Sequence, residues 1–212
     1  MSDPLSDPLK PATSPALRRT IAIVAALNFG YFFVEFAVAR LIGSVSLFAD
    51  SIDFLEDTSI NLLILLALSW TAARRRLVGM GLALVLLVPG FAALYTAWEK
   101  LGHPVIAEPS LLTITGIGAL LVNFTCAALL TRFRHDSGSL TKAAFLSARN
   151  DVAANIGIIA AGVLTWVLQS IWPDMIVGLA IAAMNAGAAY EVYEAARDET
   201  DDAAAHSDRV QP

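Results

Sequence analysis

Residues 46–70 read SLFADSIDFLEDTSINLLILLALSW. The stretch has the length of a bilayer-crossing helix, which takes about 20 mostly apolar residues. Yet Asp50, Asp53, Glu56 and Asp57 fall in its first half. An acid at mid-bilayer costs roughly 2.5–3.5 kcal/mol on insertion scales. A group of them persists only where something positive compensates. At about 100° per residue, Asp50, Asp53 and Asp57 lie within about 60° of one another on one helix face, with Glu56 off its centre. This segment therefore predicts a spanning helix with one acidic stripe turned away from lipid.

The rest of the chain supports a membrane setting. Of 212 residues, 57% are hydrophobic and only 16% are charged, against about 25% charged in soluble domains. Too little polar surface remains to cover a water-soluble globule. The net charge of -5 gives no general attraction to nucleic acid, so no nucleic-acid partner is expected. One cysteine, Cys126, excludes an intrachain disulfide framework. Apolar stretches at Thr20–Leu41, Ser46–Trp70, Leu77–Trp98, Leu111–Leu130, Lys142–Gln169 and Met175–Ala196 predict an all-α bundle of six transmembrane helices. The expected organisation is a disordered tail at 1–17, the membrane domain at 18–198 and a short acidic tail at 199–212. Lys10, Arg18, Arg19, Arg74–Arg76, Arg132, Arg134, Lys142, Arg197 and Arg209 fall on one side of alternating spans, while Arg40 and Lys100 fall on the other. By the positive-inside rule both termini are expected in the cytoplasm, in a multi-pass protein of a bacterial inner (plasma) membrane.

A second polar stripe lies in the fifth span, where Ser147, Asp151 and Asn155 recur every four residues with Asn150 on the flank. Asp57 sits about 11 residues, or ~16 Å, from the start of its span, and Asp151 about nine residues, or ~13 Å, from the opposite surface. Those depths sum to about the 30 Å hydrocarbon thickness, so the stripes can meet near the midplane. Clustered carboxylates there call for protons or a bound cation. Oxygen donors suit Mg, Mn or Ca, whereas imidazole or thiolate favours Zn or Cd. When such a site is empty, desolvation and mutual repulsion favour holding protons, and a divalent cation displaces them. With access from both sides, the result is cation/proton exchange.

Other polar residues have plainer readings. Tyr31 and Glu35, one turn apart in the first span, either line an ion path or leave Glu35 to pair with a basic neighbour. Arg149 either pairs with Glu56 or reaches to the surface. Asn28 and Asn123 read as interhelical hydrogen-bonding groups, Cys126 as a core thiol, and His103, His135 and His206 as solvated residues.

The run Gly43-Ser44-Val45-Ser46-Leu47-Phe48-Ala49-Asp50-Ser51-Ile52-Asp53-Phe54-Leu55-Glu56-Asp57 resembles the second-span signature of the cation diffusion facilitators. Asn28 and Glu35 resemble polar positions of that family's first span. Ser147 with Arg149-Asn150-Asp151-Val152-Ala153-Ala154-Asn155 resembles the fifth-span motif, and Pro173-Asp174 with Val177-Gly178-Leu179 resembles the start of the sixth. The resemblance covers about residues 20–198. It implies efflux of divalent transition metals (Zn first, or Cd, Co, Mn or Fe) in exchange for protons. It also implies a four-ligand site, which carries over to Asp53, Asp57, Ser147 and Asp151. Serine stands where many zinc transporters have histidine, so the fourth ligand is expected from Asn150, water or Asp50 instead. The transported metal is the only ion required, with no permanent cofactor. Family members usually carry a folded cytoplasmic domain after the sixth span. Here a short tail follows Arg197, so metal capture and homodimer contacts are expected to rest on the membrane helices in the lipid bilayer. Two other readings use the same residues. One is a non-transporting metal-sensing or assembly subunit. The other is an intramembrane aspartyl protease using Asp57 and Asp151.

Overall fold

The computed structural model describes residues 15–67, 91, 94–133 and 138–184. Helix α1 spans Pro15–Ile42 and α2 spans Val45–Ala67. Helix α3 is described over 94–102, α4 spans Pro109–Thr131, α5 spans Gly138–Leu168 and α6 is described over Trp172–Met184. No strand occurs among the described residues. α1 packs along α2 and also touches α4, α4 packs along α5, and α5 closes back onto α2.

Among the described residues three helices are long and apolar enough to cross a membrane: α1, α4 and residues Asn150–Leu168 of α5. α2 has 23 residues, enough to cross, but its four acids distinguish it from those three. Most of the expected third span and the second half of the sixth lie outside the described residues, as do both termini. α1 begins at Pro15, five residues before the apolar stretch. Proline suits the first helical turn because its missing N–H would have no intrahelical partner there.

The distribution of side chains suits lipid. Phe33, Trp98, Phe124 and Trp166 are exposed, while Asn28, Glu35, Asp50, Asp57, Asn61 and Asn155 are buried. Two apolar clusters bracket these polar groups. One, near the α1–α2 turn, joins Ile42, Leu47, Ile52, Leu112, Ile158 and Ile181. The other, at the far end, joins Leu17, Ile21, Val24, Ile64 and Leu130.

The α1–α2 turn follows from Gly43-Ser44. Gly43 takes a positive φ of 65°, which glycine adopts without the Cβ penalty. The Ser44 amide then bonds back to the Ala39 carbonyl at 3.1 Å, ending α1 in a Schellman-type turn. Ser44 also caps α2, its hydroxyl oxygen accepting from the Leu47 amide at 3.1 Å. The same hydroxyl donates to Asp174 of α6 at 2.6 Å.

Asp174 is the knot at this end of the bundle. Its carboxylate accepts from the amides of Val45 (2.9 Å) and Ser46 (3.1 Å) and from the Ser46 hydroxyl at 2.6 Å. Lys100, after the third apolar stretch, pairs with it at 2.7 Å and donates equally closely to the Gly43 carbonyl. An anion at the start of α2 also suits the positive end of that helix. Burial opposes the charged form of Asp174. The Lys100 ammonium and the hydroxyls of Ser44 and Ser46 outweigh that, holding the carboxyl below its usual range. Gly178 lets α6 come this close: a Cβ there would stand 2.7 Å from the backbone of Val45 and Ser46.

Removing one member of a buried ion pair costs about 3–5 kcal/mol. Asp174→Ala should lower thermal stability in detergent by about that much, and by more than Lys100→Met, because it also strips the α2 cap. With its pKa depressed, Asp174 contributes its full stability at neutral pH and loses it only as pH falls through that depressed value. Unfolding midpoints compared at pH 7 and pH 5 should therefore show a constant difference between Asp174→Ala and the parent protein. Gly178→Ala should destabilise as well, by about 1–3 kcal/mol for an overpacked contact.

Candidate cation site between α2 and α5

The acids of α2 descend from the α1–α2 turn in levels. Asp50 comes first, Asp53 one turn deeper and Asp57 deeper again, with Asp50 and Asp57 separated by ~10 Å at 1.5 Å per residue. α5 runs the other way and brings Asp151 and Asn155 to face them.

At the deep level, the carboxyl groups of Asp57 and Asp151 lie side by side, with Glu56 within electrostatic range of both. Asp57 is buried, while Asp53 and Asp151 are partly accessible. Asp53 lies between the levels, sensing Asp151, Asp50 and Asp57. Asn28 of α1 donates from Nδ2 to Asp57 Oδ2 at 3.2 Å. The Cys126 thiol of α4 donates to Asn28 Oδ1 at 3.5 Å. That contact fixes which way the Asn28 amide faces, so its N–H points at the carboxylate. Asn61 donates to the Asp57 backbone carbonyl at 2.7 Å. Asn28 and Cys126, singled out in the sequence only as interhelical and core residues, thus orient a candidate ligand. A buried cysteine nearly five turns into the mostly apolar α4 gave little hint of that role.

At the level nearer the turn, Asp50 leaves this group. Its carboxyl faces Glu35 of α1, and its Oδ1 is 3.4 Å from Asn155 Nδ2. Asn155 also donates to the Asp151 carbonyl at 2.6 Å. Tyr31, one turn from Glu35, donates its hydroxyl to the Thr115 carbonyl at 2.7 Å, which ties α1 to α4. Gly118 makes room for that ring, since a Cβ there would collide with the Tyr31 hydroxyl.

Asn150 is exposed on the flank of α5. Ser147 lies on the same helix, and its side chain is outside the described residues, as is that of Arg149. Among the described residues no group of three or more His, Cys, Asp or Glu converges closely enough to hold a metal ion. The carboxylates are spread along the helix axis, and Asp57 and Asp151 form a facing pair. An apolar groove of about 350 Å³ between α5 and α6, lined by Gly157, Ala161, Leu164, Trp172 and Val177, opens on another face of α5 from Asp151. It offers no charge to a cation.

Among the described residues Lys100 is the one buried basic group, and Asp174 takes it. Among the described residues, Glu35 and Asp50 are buried between lipid-facing helices with no basic side chain beside them, as in a membrane protein that handles positively charged species. The sequence matches the family described as the cation efflux transmembrane domain over residues 21–198, and the chain belongs to that family, the cation diffusion facilitators. A comparison with curated proteins finds no match. Members of that family are metal cation efflux transporters, not enzymes, and membership implies metal cations as the cargo here.

A hydrogen bond to a charged group contributes about 1.5–3 kcal/mol. If Asn28 orients Asp57 for the cation, Asn28→Ala should raise the metal concentration for half-maximal transport by roughly tenfold. Cys126→Ser, which keeps a donor to the amide, should change it far less. Metal uptake into proteoliposomes at graded concentrations measures both.

Proposed function

We propose that the protein exchanges a divalent transition metal for protons at Asp53, Asp57 and Asp151, with a fourth ligand from Ser147, Asn150 or water. The observation that carries this reading is the facing pair Asp57 and Asp151 across α2 and α5, with Asp53 on the same face of α2. Empty, the carboxylates hold protons, because desolvation and like-charge repulsion disfavour leaving them all ionised. A divalent ion supplies concentrated charge to the same oxygens and releases those protons. Alternating access from the two membrane faces turns this competition into antiport. Zn stands first as cargo because three carboxylates and a small fourth ligand satisfy its preference for four-coordination. Without imidazole, the site also accommodates Cd, Co, Mn or Fe. A homodimer packed through the membrane helices completes the assembly, in a bacterial inner membrane with both termini cytoplasmic.

The test is metal-dependent proton flux in proteoliposomes across Zn, Cd, Co, Mn, Fe and Mg. The parent protein should acidify or alkalinise the lumen in step with metal movement. Asp57→Ala and Asp151→Ala should each lose at least tenfold of metal flux while still inserting as monodisperse protein. Undiminished flux in both variants would overturn the site. Metal movement without proton flux would overturn the exchange. Metal binding without movement would favour a sensing or assembly subunit.

A further inference from the structure

Asp57 has polar neighbours around it, whereas the acids nearer the α1–α2 turn do not. Glu35 is fully buried, and neither of its carboxylate oxygens meets a donor among the described residues. Asp50 is also fully buried, and its Oδ2 is likewise without a partner there. Its Oδ1 has only the long 3.4 Å approach of Asn155 Nδ2. Asn155, again fully buried, leaves its own Oδ1 unpartnered. The Tyr31 hydroxyl, within electrostatic range of both acids, is committed to the Thr115 carbonyl. Lys100 is committed to Asp174 and the Gly43 carbonyl. Apart from a proton that Glu35 and Asp50 share between them, four acceptor oxygens from α1, α2 and α5 are thus enclosed without a donor among the described residues.

Charge balance points the same way. Glu35, Asp50, Asp53, Asp57 and Asp151 supply five carboxylates to one interior. At Glu35 and Asp50 the described residues supply no basic side chain, so any charge those two carboxyls carry beyond a shared proton has no partner there, and a buried charge without a partner is strongly destabilising. A divalent ion nearer the turn can take the place of that proton and balance both carboxylates. The donors available there are carboxylate and amide oxygens alone, which suits hard or borderline cations such as Mn2+.

We infer that Glu35, Asp50 and the amide oxygen of Asn155 form a second divalent-cation station, one to two helical turns from the Asp53–Asp57–Asp151 site toward the α1–α2 turn. It is a waypoint between the deep site and that end of the bundle. Cargo leaving or entering the deep site steps between two oxygen-lined positions. Asp53 lies between them and senses the charges of both. The inference deepens the transport reading and rests on it for the station's purpose, whereas the ion count does not depend on transport.

The test titrates Mn2+ into the full chain in lipid nanodiscs and counts bound ions by electron paramagnetic resonance, with metal flux measured on the same preparations. The parent protein should take two ions per chain. Glu35→Gln and Asp50→Asn should each take one, or hold the second at least tenfold more weakly. Asp57→Asn should keep the ion near the turn, and Glu35→Gln with Asp57→Asn should bind none. Thermal unfolding identifies the folded variants. Glu35→Asp keeps the charge and should restore part of the second binding event if Glu35→Gln does not fold. One ion in a parent protein that transports, unchanged by Glu35→Gln or Asp50→Asn, overturns the station and leaves the deep site standing. No bound ion and no flux in the parent protein overturns both.

Discussion

Carboxylates enclosed among helices that face lipid are the constraint on which this protein depends. In water, four acids on one helix would be unremarkable surface groups. Between apolar clusters they set the arrangement of every helix that packs on α2. α1 brings Asn28 and Glu35, and α5 brings Asp151 and Asn155. The apolar side chains that would line the interior of a soluble bundle are turned outward instead, as Phe33, Phe124 and Trp166 show. Lipid is as apolar as those side chains, so hydrophobic burial does little to choose between inside and outside. Hydrogen bonds and small-residue contacts decide it, as at Gly118 beneath Tyr31 and Gly178 against the start of α2.

Two kinds of buried acid occur in the same chain, and on the proposed reading the difference separates scaffold from cargo path. Asp174 has an ammonium, two hydroxyls and two amides around one carboxylate. Every lone-pair direction is used, so no space or charge is left for an ion. Glu35 and Asp50 are as deeply buried and have almost none of these partners among the described residues. A saturated carboxylate fixes the ends of α2 and α6 together. An unsaturated one is disfavoured in the empty protein and relieved by a visiting positive charge. A transporter needs both, because a site that exchanges its occupant has to be held by parts that do not move with it.

How far the sequence could be read follows the same division. The acidic face of α2 and the polar face of α5 were legible because helical periodicity and the cost of charge in a bilayer leave few alternatives. The facing of Asp57 and Asp151 followed from counting depth along two antiparallel helices. The Lys100–Asp174 pair was not legible. The two residues are 74 positions apart, Lys100 read only as a topology marker, and Asp174 stood just outside its apolar stretch. Asn28 was visible as a polar residue in a span, but its partner was not, since a hydrogen bond between α1 and α2 depends on their rotation about one another. The separation of Asp50 from Asp53 and Asp57 was hidden for a related reason. Periodicity placed all three on one face, and only the neighbouring helices decide which acid meets α1 and which meets α5.

The donor chemistry also narrows how selectivity can arise. Cys126 is the one cysteine in the chain, and its thiol is used as a donor to Asn28. A thiol spent in this way orients the amide that hydrogen-bonds to Asp57. With oxygen donors alone around the path, discrimination among transition metals cannot rest on softness. It falls to geometry, that is, to how closely Asp53, Asp57 and Asp151 can be drawn together when α2 and α5 shift. Among the described residues those carboxylates do not converge closely enough to hold a metal ion. On the proposed reading, the movement that closes them around an ion is therefore also the step at which one metal is preferred over another.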